Sequence, residues 1–169
     1  MRYEFLFTQL DQHAHAIESL TRGISPEHAR WKPNADSWSI LEVINHLYDE
    51  ERRDFRVRLD IILHRPAEPF PHIDPPRWVI DEKYNERDLE TSLQNFLGER
   101  ANSLRWLSNL KAPNWEASIT NEFGTVTAGE MFSAWVAHDV LHLRQLVEVH
   151  YALVRINAAP FVLEYAGEW

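Results

Sequence analysis

The sequence predicts an all-α protein, a four-helix bundle, on three observations. Four stretches of about 20 to 28 residues carry apolar side chains at three- and four-residue spacing. Two of them open on the spacing of a capping box, Ser39 with Glu42 and Thr127 with Glu130. The prolines fall between the stretches, where a missing backbone N–H does a helix no harm.

The first helix runs from about Tyr3 to Arg22 with Phe7, Leu10, Ala14, Ile17 and Leu20 on one face, and Gly23 with Ser25-Pro26 ends it. The second starts at Ser39 and continues to about His64, before Arg65-Pro66; its stripe is Ile40, Ile44, Leu47, Phe55, Leu59 and Ile62. Residues 66 to 80 hold five prolines and little periodicity, so they read as a long extended connection. The third helix spans about Asp88 to Lys111 through Leu93, Phe96, Leu97, Leu104, Trp106 and Leu107, ahead of Pro113. Residues 115 to 126 fit either a short hairpin or an irregular loop. The fourth helix opens at Thr127 and passes through Met131, Trp135, His138, His142, Gln145 and Val149 to about Leu153, leaving an apolar tail with Pro160 and Phe161. A link as long as that between the second and third helices can return along the bundle, which opens an up-down-down-up order to this chain.

A length of 169 residues suits one domain spanning residues 1–169. The net charge of −9 argues against a surface built for nucleic acid. With no cysteine there is no thiolate ligand and no cysteine nucleophile, so thiol chemistry would need a thiol from outside. The N-terminus lacks the apolar run of a signal peptide, and no segment reaches the roughly 18 apolar residues of a membrane span, so a soluble cytoplasmic protein is expected. Seven tryptophans and eight phenylalanines are assigned to the core. Phosphate-loop, dinucleotide, serine-elbow and His-Glu-x-x-His motifs are all missing from the sequence, which sets aside the chemistries they carry.

Three histidines carry the functional signal. His138 and His142 lie four apart, so their imidazoles can point at one spot from adjacent turns. They continue the inward stripe begun by Met131 and Trp135, where an unsatisfied polar ring would cost roughly 1 to 3 kcal/mol. A third ligand from a facing helix closes a site, and His46, at the flank of the second helix's stripe, is the candidate. Three imidazoles leave coordination positions free for water or substrate, the arrangement of a reactive metal. Glu50, one turn after His46, is a candidate acceptor for that ring, a base or a fourth ligand.

The segments Arg30-Trp31-Lys-Pro33, Ser37-Trp38-Ser39-Ile-Leu-Glu42-Val-Ile-Asn-His46-Leu with Glu50, and His138-x-x-x-His142-Leu-Arg-Gln resemble the DinB-like superfamily of metal-binding four-helix bundles. The resemblance implies a metal triad of His46, His138 and His142, zinc or nickel as the ion, and a homodimer. It also implies a thiol S-transferase using an external low-molecular-weight thiol, such as bacillithiol or mycothiol, on small electrophilic substrates; in such an enzyme the position of Glu50 suits it to move a proton or orient a ligand. A non-catalytic metal- or ligand-binding stress protein, or a bundle whose histidines are only a polar core network, are the other readings.

Other polar residues receive surface assignments. Asn45 and Asp139 adjoin ligands but point about 100° away on their helices. The run Asp49-Glu-Glu-Arg-Arg-Asp54 reads as an exposed face of intrahelical pairs. His13 and His15 face different ways, and His28, His64, His72 and His150 are expected near helix ends or in loops.

Overall fold

The computed structural model describes residues 1–121 and 124–169. Helix α1 (Tyr3–Thr21) is followed by the short α2 (Pro26–Arg30) and by α3 (Ile40–Asp49). A π-helical turn, Glu50–Phe55, carries α3 without a break into α4 (Arg56–His64). Then come α5 (Pro75–Asp81), α6 (Leu89–Ser108), an antiparallel hairpin of β1 (Ser118–Asn121) and β2 (Gly124–Thr127), and α7 (Ala128–Asn157).

Both expected capping boxes are formed: Ser39 and Thr127 accept from the backbone N–H of Glu42 and Glu130, whose carboxylates return to the capping residue. Asp88 caps α6 by accepting from Thr91 N at 2.9 Å. The prolines of the long connection do more than extend it. Pro75 and Pro76 occupy the first turn of α5, where proline's fixed φ is already helical, and Asp74 caps it. The 115–126 segment resolves into the hairpin, with Ile119 opposite Val126 and Asn121 opposite Gly124; Glu122 and Phe123 lie outside the described residues. Helix α7 continues past Leu153 to Asn157.

Two apolar clusters fix the direction of each helix. One joins Leu10 early in α1 to Leu59 and Ile62 in α4, Leu107 late in α6 and Phe132 early in α7. The other joins Ile17 late in α1 to Ile40 and Ile44, Leu93 and Phe96 early in α6, and Leu146 and Val149 late in α7. The α3–α4 rod and α6 therefore run opposite to α1 and α7, giving up-down-down-up, and residues 65–88 travel back along the bundle. Helix α1 packs on α6 and α7, as does the α3–α4 rod.

The π turn follows from the sequence register. An α-helix advances about 100° per residue, so Phe55, eight positions after Leu47, would lie about 80° off its line. One extra residue in the turn restores the stripe, and Phe55, Leu59 and Ile62 are buried with Ile40, Ile44 and Leu47. The same widening turns Glu50, Glu51 and Asp54 inward along with Asp49, which corrects the expectation of an exposed charged face. Among the described residues no helix is long and apolar enough to cross a membrane.

Candidate metal centre

The triad sits at the waist between the two clusters. His46 projects from α3, and His138 and His142 from successive turns of α7. The Nε2 atoms of His46 and His138 are 3.3 Å apart, and those of His138 and His142 are 3.1 Å apart. One ligand atom from each of the three falls within 4.8 Å of the others. Imidazole nitrogens on a tetrahedral ion at about 2.0 to 2.1 Å stand about 3.3 Å from one another, so the spacing fits a divalent cation.

Proton counting supports the same fit. Gln145 Oε1 lies 2.8 Å from His142 Nδ1, so that nitrogen carries the proton and Nε2 presents a lone pair toward the centre. His138 Nε2 faces both other Nε2 atoms, and a single proton there can satisfy only one of them. A cation satisfies all three. Burial holds the rings neutral: His46 is pushed down to about 2 by desolvation and its two histidine neighbours, and His138 to about 4 by desolvation and His142. Desolvation lowers His142 as well.

Glu50 stands on the far side of His46. Its Oε1 is 3.7 Å from His46 Nδ1, and both atoms are buried without a hydrogen-bond partner among the described residues. Burial, with Asp54 one turn on, pushes the Glu50 carboxyl up to about 9. The Trp38 ring meets His46 edge-on at 4.8 Å and lies parallel to His142 at 6.2 Å between centroids. Beside His142 opens a cavity of about 540 Å³ lined by Trp38, Gln145, Val149 and Ala152, with Asp36 and Glu148 among its polar residues.

The model of the DinB superfamily matches residues 9–146. The chain belongs to the DinB superfamily. Among solved structures it is similar to YfiT from Bacillus subtilis, described as a probable metal-dependent hydrolase with an unusual four-helix bundle topology. The TM-score is 0.78 at 13% identity, over 89% of this chain and 86% of that one. No curated protein matches the chain.

Within this DinB fold several residues read as surface lie inside. Asp139 is fully buried, because the face of α7 turned 100° from His138 still meets α1, and Arg100 reaches across to it from α6. Burial alone would raise its carboxyl, but Arg100 and His13 hold it below the usual aspartate value. Asn45 is also buried, donating to Leu41 O and Ser92 Oγ and accepting from Arg87, which ties α3 to α6 away from the triad. His150 lies within α7 and contacts Leu20 O at 2.6 Å. His64 pairs with Asp60 at the exposed end of α4. His13 and His15 point apart as expected, His13 toward Asp139 and His15 toward Glu18. The clue to these buried acids is Arg100, a lone arginine on the inward face of α6, which in the sequence resembles any helical surface charge.

Proposed function

We propose that this protein is a metal-dependent enzyme acting on a small electrophile, with His46, His138 and His142 holding a divalent cation, zinc or nickel. The observation that carries this reading is the convergence of three neutral imidazoles beside an open cavity. A structural zinc site is closed by four protein ligands, whereas three histidines leave room for a reactant. A bound ion supplies Lewis acidity there, making a nucleophile of water or of an external thiol near neutral pH. Attack by water is hydrolysis, as in the description of YfiT; attack by a thiol is S-transfer, which this cysteine-free chain can perform only with a thiol from outside.

The chain's own groups then have defined tasks. Gln145 fixes the tautomer of His142, and Glu50 orients His46 through Nδ1 and holds or passes a proton there. Trp38, Val149 and Ala152 give the electrophile an apolar wall. Among the described residues lining the cavity there is neither lysine nor arginine, so a neutral or cationic substrate suits it better than a polyanionic one.

Elemental analysis of tag-free protein tests the reading, with about one zinc or nickel ion per chain expected and none in His142→Ala. Loaded protein is then offered an activated ester and an alkylating electrophile, each with and without an external thiol. Turnover without thiol assigns hydrolysis, and turnover only with thiol assigns transfer. Metal bound without turnover of either kind leaves a binding protein of the same fold.

A further inference from the structure

Behind the triad lies a second buried group that binding and positioning of a reactant do not use. Arg100 of α6, 1% exposed, sends two parallel hydrogen bonds to Asp139 at 2.7 and 2.8 Å. Its Nε donates to Glu51 Oε1 at 2.8 Å and its Nη1 to Leu10 O at 2.7 Å. Trp135 Nε1 donates to the same Glu51 oxygen at 2.8 Å, and His13 Nδ1 lies 3.4 Å from Asp139. The group thus touches α1, the π turn, α6 and α7 at once.

Two features set it apart from a helix lock. First, it is unbalanced: in a buried site one guanidinium faces two carboxylates, those of Glu51 and Asp139. Burying charge is costly unless it is compensated, and a lock built for stability alone has no use for the surplus. Second, it adjoins the triad along both ligand-bearing helices. Asp139 follows His138, Glu51 follows Glu50, and the Phe55 ring lies 5.9 Å from Trp135 and 5.0 Å from His138 between centroids. A cation at the three imidazoles would sit against this charge across a low-dielectric interior, where screening is weak.

We infer that the Arg100–Glu51–Asp139 group is the buried counter-charge of the metal centre, strengthening cation binding while weakening the metal-free fold. The inference rests on the metal-binding reading above. Glu51 and Asp139 touch no ligand atom and act through the field they set at the three rings.

The test compares zinc and nickel affinity, measured by competition with a chromophoric chelator, with the melting temperature of chelator-treated protein. Glu51→Gln keeps the acceptor for Arg100 and Trp135 and removes one charge. It is expected to bind zinc about tenfold more weakly and to melt, metal-free, no lower than wild type. Asp139→Asn removes the charge from the other arm and is expected to show the same weakening of zinc binding. Arg100→Lys keeps the charge sum but breaks the fork, and is expected to melt lower with its zinc affinity retained. Wild-type affinity in both charge variants overturns the inference, as does loss confined to Arg100→Lys, which assigns the group to geometry alone. Wild-type protein that binds neither metal overturns the metal reading and this inference together.

Discussion

His46 Nδ1 and Glu50 Oε1 face one another across 3.7 Å with no hydrogen-bond partner among the described residues, and their titration gives the metal-free protein a distinctive pH profile. Glu50 is raised from 4.5 to about 9, so its contribution to stability is full below pH 4.5 and is lost as pH climbs to about 9. His46 and His138 are depressed from 6.5 to about 2 and about 4, so theirs is full above pH 6.5 and is lost as pH falls. Above pH 6.5 the carboxyl acts without opposition from the rings. Metal-free wild type is therefore expected to melt progressively lower from pH 6.5 to 9, and Glu50→Gln to lose most of that slope; thermal melts across that range check it. The three histidines were legible because spacing and stripe position are local properties. Asp139 and Glu51 were not, because their burial depends on Arg100, 39 and 49 positions away in the chain.

Between α3 and α4 the π turn is the element that brings the two halves of one rod into register. Inserting one alanine after Arg52 would add a residue that the π turn cannot absorb and rotate the His46 half by about 100° against the Phe55 half. The expected result is a protein with near-native helix content by circular dichroism that no longer retains zinc; retention at wild-type affinity would show that the turn does not set the triad. The eight-residue gap from Leu47 to Phe55 was the visible trace of this turn, but the charges between them masked it as a surface run. Helix α5 was hidden for a different reason. Pro75-Pro76 reads as a break, yet at a first turn the same residues start a helix. The capping boxes were plain because both partners lie within four residues.

Across the whole molecule, the up-down-down-up order places α3 against α7 at the level of the triad, although His46 and His138 are 92 positions apart. The order was open to the sequence only through the length of the second connection, and the polarity of the two core clusters decides it. A cation binding only the folded chain adds to stability by mass action, about 2.7 kcal/mol at a hundredfold excess over Kd. Wild type is therefore expected to melt higher with zinc and to fall back with chelator, while His142→Ala shows neither change. The two apolar clusters lie on either side of the triad, and that division bears on the protein's history in a cell. Where apolar burial shapes the chain, folding at synthesis and uptake of an ion at the triad would be separate events. Exchange of one ion for another would then need no unfolding, and the occupant would follow supply.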